Sequence, residues 1–208
     1  MITARRGIEE NSGGADMKHD YLDPNSYASE PGNIHISDEK WNEVAWLLGL
    51  NFFEKLRYNR NRKYIDDYIF RGDSQPAVVM STSPLIISAY SDEMDAVMLL
   101  RFPDVLAEKY GIEPGTRLTT SNTYSMFADY SRVKPEYVAD DIIPGKKFSG
   151  QYFDFRPIVT IFLSDDMDII EQHTNHVPEQ LWEYVEKLSR RYYESFPDRF
   201  RDGFFYLK

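Results

Sequence analysis

Between Gln75 and Gly111 the apolar positions change period twice, and this sets the first expectation for the fold. Ala77–Met80 is a short β-branched run. Ser81-Thr82-Ser83-Pro84 closes it, because proline fixes its own φ and biases the preceding residue away from the helical region. Leu85–Tyr90 carries apolar atoms on both alternating faces, the pattern of a strand covered on both sides. After the polar Ser91-Asp92-Glu93 turn, Ala96, Met98, Leu100 and Phe102 alternate with Val97 and Leu99. Connections this short join antiparallel neighbours, since a parallel pair needs a crossover of a dozen or more residues. The stretch therefore predicts a meander over 77–102. Pro103 and Asp104 then suit the first turn of a helix that Gly111 ends.

The same reading extends to the rest of the chain. Ser37 is a good N-cap for a helix over 38–49, with Asp38 and Glu39 in its first turn and Trp41, Val44, Ala45, Leu47 and Leu48 on one face. Phe52, Phe53 and Leu56 begin a short second helix. Tyr64–Phe70 alternates and reads as a strand. Residues 116–125 combine β-formers with hydroxyls, as in an edge strand with one polar face. Residues 126–150 are polar and broken by prolines and glycines, so they read as loop with a turn of helix at Pro135–Ala139. Residues 152–163 are the second strong strand. Pro178 opens a helix over 178–196 whose face is Leu181, Trp182, Val185, Leu188 and Tyr192. Outside that face, Glu183–Lys187 and Glu186–Arg190 have the i,i+4 spacing of ion pairs. The tail, Phe200, Phe204, Phe205 and Tyr206, either docks on the sheet or faces a partner.

The expected fold is α+β: an antiparallel sheet of about five strands (the meander over 77–102 plus 116–125 and 152–163), packed by helices over 38–49 and 178–196. Leu85, Ile87, Val97, Leu99, Val159, Ile161, Trp182 and Val185 are expected to share one core. Residues 1–31 hold turn formers, acids and few aliphatics, which predicts a mobile arm before a single domain over 32–208.

Charge and composition narrow the function. The 208 residues carry a net charge of −10, which disfavours bulk binding to nucleic acid or anionic membrane. There is no cysteine, so disulfides, thiol nucleophiles and thiolate metal sites are excluded. No apolar run approaches the roughly 20 residues of a membrane helix, and no apolar segment follows the N-terminal arginines as a secretory signal would require. The reading is a cytoplasmic protein.

Candidate chemistry is sparse. There is neither a Gly-rich phosphate loop nor a G-x-S-x-G elbow, and no cofactor is expected. Asp92, Glu93 and Asp95 suit a solvated turn more than a cation site. Ser121, Asn122, Thr123 and Ser125 can hydrogen-bond a sugar or phosphate, but they equally suit an edge strand. His173 and His176, with Asp168 nearby, have the spacing of two ligands on one helix turn. A third strong ligand and the H-E-x-x-H arrangement are missing, so no metal site is expected. The sharpest anomaly is Lys55–Lys63, in which Lys55, Arg57, Arg60, Arg62 and Lys63 place five cations in nine residues of an acidic chain. Arg57, Tyr58, Arg60, Arg62 and Lys63 are the candidate binding residues, with the guanidinium forks suited to carboxylate or phosphate.

Two functions follow as expectations. The first is a non-catalytic protein-binding or regulatory module: an adaptor, a regulator or an inhibitor of a basic toxin. The alternative is a small enzyme or ligand-binding protein for an anionic small molecule, using Arg57, Arg60 and Arg62 or the Asp165–His176 cluster.

Overall fold

The computed structural model describes residues 31–126, 139–147 and 152–207. The arm expected over 1–31 lies outside these residues except for Pro31, which bridges to Asp73. The turn of helix expected at Pro135–Ala139 also lies outside them, Ala139 apart.

The elements in chain order are α1 (Asp38–Leu47), α2 (Phe52–Arg71), β1 (Asp73–Thr82), β2 (Leu85–Ser91), β3 (Ala96–Phe102), α3 (Val105–Tyr110), β4 (Arg117–Met126), β5 (Ile142–Pro144), β6 (Tyr152–Val159), α4 (Met167–His176), α5 (Glu179–Ser195) and β7 (Arg201–Asp202). The sheet runs β5-β3-β2-β1-β4-β6 with every neighbour antiparallel, and β7 adds a short parallel pairing to β3. The class is α+β with an antiparallel sheet, as expected.

The local rules that predicted the elements hold where they are strongest. The Ser37 side chain accepts the Lys40 N–H at 3.2 Å and caps α1. Gly111 ends α3 at φ 61°, the left-handed conformation that favours glycine. Two readings change. The segment Tyr64–Phe70 is helix, part of α2. Its alternation is outweighed by Tyr58, Ile65 and Ile69, which form one buried helical stripe. The strand over 152–163 stops at Val159, and Thr160–Phe162 turns as 3-10 helix with Leu163 and Ser164 N–H groups both donating to the Thr160 carbonyl.

The sheet separates two cores. Ala77, Val79, Leu85, Ile87, Met98, Leu100 and Phe155 face α1, α2 and α4, where Trp41, Val44, Tyr58, Ile65, Ile69 and Ile170 meet them. Val78, Tyr90, Val97 and Ile143 face α5 and its Trp182, Val185 and Leu188. The expected single core is therefore two. Leu85, Ile87 and Val159 lie on one side, and Val97, Trp182 and Val185 on the other; Leu99 is fully buried and Ile161 only partly buried. Period-2 alternation sends neighbouring residues to opposite faces, and both faces here are covered by helices.

α5 is held at its start by Arg117 of β4. The guanidinium is bidentate to Glu179 (2.6 and 2.8 Å), donates to Glu186 at 2.9 Å, and lies over the Trp182 ring. Glu186 is thus taken by β4, not by Arg190. The C-terminal tail docks: Phe204 is buried edge-on against Phe102, and Arg201 bridges Asp141 and Asp154.

Candidate functional site

The basic stretch lies on α2. Asn51 starts the helix with a reciprocal capping box to Glu54, satisfying N–H groups that would otherwise lack partners. That start fixes the phase of everything downstream. Tyr58, Ile65 and Ile69 turn inward, so Leu56, Arg60 and Lys63 turn outward at i, i+4 and i+7. Arg57 and Lys55 are exposed on the flanks.

The five candidate binding residues have different fates. Tyr58 is 1% exposed, stacks on Trp41 at 3.9 Å, and donates its hydroxyl to the Trp41 carbonyl at 2.8 Å. Burial raises its phenol well above the ordinary range. It belongs to the core and offers nothing to a ligand. Arg62 folds back onto α1, donating to Asp38 at 2.6 Å and to the Ile36 carbonyl at 3.1 Å. Arg57, Arg60 and Lys63, with Lys55, project into solvent and make no ion pair among the described residues.

Beside these cations lies an apolar patch that sequence reasoning missed. Trp46 is 78% exposed, Phe52 71%, Phe53 80% and Leu56 55%. Phe52 and Phe53 stand edge to face at 5.6 Å. Scattered exposed apolar residues are ordinary, but four large ones fall within eleven residues at the end of α1 and the start of α2, a density that points to an interaction site. The sequence holds two signals for it. Trp46 falls five residues after Trp41, off the inward face of α1. The Asn51–Glu54 capping box puts Phe53 and Leu56 out of phase with Tyr58 and Ile65.

At the far end of α2 the surface turns concave. Asn61, Tyr64, Ile65 and Tyr68 face Arg156 of β6 and Phe205 of the tail across a groove of about 420 Å³. Over its 20 residues α2 is about 30 Å long, and the groove lies on its flank, between the buried stripe and the outward cations.

The remaining candidates are structural or dispersed. Of the hydroxyl and amide candidates Ser121 and Asn122 are buried and Thr123 is half-buried, and β4 lies between β1 and β6, not at an edge. Ser121 Oγ donates to the Ile69 carbonyl at 2.9 Å, satisfying the end of α2, and Asn122 Nδ2 donates to the Tyr90 carbonyl at 2.8 Å. His173 is buried with its Nε2 2.8 Å from the Gly32 carbonyl, whereas His176 and Asp168 are exposed. The two rings therefore do not converge, and no group of three or more His, Asp or Glu side chains among the described residues is placed to hold a metal. Asp95 is not in a solvated turn. It is buried, with its carboxylate accepting from Tyr90, Tyr184 and the Lys147 N–H. Burial raises the Asp92 and Glu93 carboxyls beside it, and the Asp92 charge raises Glu93 further.

No helix among the described residues is long and apolar enough to cross a membrane. No protein-family model and no curated protein matches the chain. Among solved structures it is similar to one from Corynebacterium diphtheriae described as a "putative membrane protein", with 12% identity over 61% of this chain and 94% of that one, at a TM-score of 0.42.

Proposed function

We propose that this protein is a non-catalytic protein-binding module whose docking surface is the α1–α2 corner and the outward face of α2. The observation that carries the reading is the juxtaposition of Trp46, Phe52, Phe53 and Leu56, all more than half exposed, with Lys55, Arg57, Arg60 and Lys63. Aromatic anchors bordered by arginine are the chemistry of interface hot spots. The cations select an acidic partner protein, because unpaired like charges would repel a basic one. The net charge of −10 argues against long nucleic acid and against an anionic membrane as the natural target. The absence of cysteine fits work in a reducing compartment, and we take that to be the cytoplasm.

Selection from a random peptide library displayed on phage tests this. Enriched peptides are expected to combine acidic residues with aromatic or aliphatic anchors. They should bind about tenfold or more weakly to Phe53→Ser/Leu56→Ser and to Arg57→Ala/Arg60→Ala variants, with the second loss shrinking as salt rises. Enrichment of basic peptides, or affinities unchanged in both variants, overturns the proposal. So does tighter binding to phosphatidylserine vesicles than to any selected peptide.

A further inference from the structure

On the opposite side of the sheet, α5 carries a second cationic feature. Tyr184, Lys187, Leu188, Arg191 and Tyr192 follow one another at i, i+3, i+4, i+7 and i+8, so they form one stripe of the helix. The turn after β5 lies against that stripe, and between them is a cleft of about 260 Å³ with Lys146 on its other wall. This is the size of a site for a small molecule, below the usual range for drug-sized ligands.

The cleft is built, not left over. Asp95 hydrogen-bonds to both walls. Its main-chain carbonyl accepts from Gly145 N–H and its Oδ2 from Lys147 N–H, both at 2.6 Å, while its Oδ1 accepts from the Tyr184 hydroxyl at 2.7 Å. Gly145 approaches so closely that a Cβ there would stand 2.6 Å from Asp95 Oδ2. The Tyr192 hydroxyl donates to the Pro144 carbonyl. Both tyrosine hydroxyls are thereby occupied, and their rings are held as flat walls with Leu188 between them.

The charged side chains that line the cleft are all cationic, while Glu183, Glu186 and Glu194 stand with Lys187 and Arg191 on the adjoining surface. Lys146, Lys187 and Arg191 are exposed and make no ion pair among the described residues. Lys187 lacks the expected partner Glu183, and Glu186 is drawn away by Arg117. The carboxylate that ties the walls together, Asp95, accepts from three donors. Three cations around a cavity with aromatic walls are suited to a dianion on a flat apolar body. The ammonium groups act as point charges and the guanidinium as a bidentate fork.

We propose that this cleft binds a small phosphate monoester with an aromatic or other flat apolar body, independently of the surface on α2. Phenyl phosphate is the probe, titrated by calorimetry and by ¹H–¹⁵N chemical-shift mapping of the whole chain, with inorganic phosphate and phenol alongside. Phenyl phosphate should bind at a single saturable site, more tightly than either fragment, with shifts centred on 184–192 and 145–147. A Lys187→Ala/Arg191→Ala variant should bind about tenfold or more weakly while keeping its melting temperature, since both side chains are exposed. Arg57→Ala/Arg60→Ala should bind as the parent does, which separates this site from any loss at the α2 surface. Non-saturable binding overturns the proposal, and so does an affinity equal to that for inorganic phosphate. Shifts centred on α2, or an affinity unchanged in Lys187→Ala/Arg191→Ala, also overturn it.

Discussion

The Tyr184 hydroxyl donates to Asp95 Oδ1 at 2.7 Å across 89 residues of sequence, joining α5 to the β2–β3 turn. Burial and this bond to the carboxylate push the Tyr184 phenol up to about 12, so it stays protonated and donating at neutral pH. Asp95 itself has φ 46°, a conformation that Asp and Asn tolerate far better than other side chains. Replacing it with Ala strands three donors and strains the backbone. Asp95→Ala is expected to cost about 3 kcal/mol and Asp95→Asn, which keeps one acceptor, about 1 kcal/mol. Urea unfolding of the two variants checks this. Equal stabilities would show that the carboxylate is not the hub of this corner.

α2 offers a contrast within its first two turns. Tyr58→Ala should lose about 3–5 kcal/mol, because it empties a core site and removes the stack on Trp41. Phe53→Ala, a similar truncation at an exposed position, should alter stability by no more than about 0.5 kcal/mol. Thermal melts of the two single variants decide whether the helix has the phase described here. Comparable losses would reverse it.

Leu99 is fully buried in β3 on the face that α5 covers. Leu99→Ala should cost about 2–5 kcal/mol, the range for deleting a packed leucine. A melt indistinguishable from the parent would remove the central position assigned to this strand.

Desolvation at the turn raises the Asp92 and Glu93 carboxyls, even though Asp92 keeps an exposed surface and Glu93 is half-buried. A carboxyl that titrates higher in the folded chain than in the unfolded one binds protons more tightly when folded. Its contribution therefore favours folding as pH falls from neutral toward the ordinary carboxylate range near about 4, and opposes folding above it. Asp92→Asn removes one such charge and relieves its neighbour. The variant should be more stable than the parent at neutral pH, and the difference should shrink as the pH falls toward the carboxylate range. Stability measured across that interval checks the sign: a variant weaker at neutral pH would mean that the Asp92 charge is paired, not desolvated.

Much of the fold was legible because local physics decided it. Ser37 and Gly111 mark helix ends by hydrogen-bonding and backbone preferences that act within a few residues, and the alternation from Leu85 to Phe102 suits strands joined by short turns. The same locality explains the failures. Tyr64–Phe70 satisfies both an alternating and a helical pattern, and only the burial of Ile65 and Ile69 against the sheet selects the helix. The hydroxyls of β4 look like a polar edge until β6 covers them. The sequence determined that five cations lie together between Lys55 and Lys63, and that the chain as a whole is acidic. Tertiary structure alone decided which of them are free. Tyr58 went to the core and Arg62 to Asp38 because α1 packs across α2, an arrangement set by contacts distant in sequence. By the same route Trp46, Phe52, Phe53 and Leu56 were left outside. Lys146 lies far from Arg191 along the chain, and no local pattern links them. The pairing of β5 with β3 brings Lys146 to the α5 stripe, because it anchors the turn after β5 beside the helix that covers that face of the sheet.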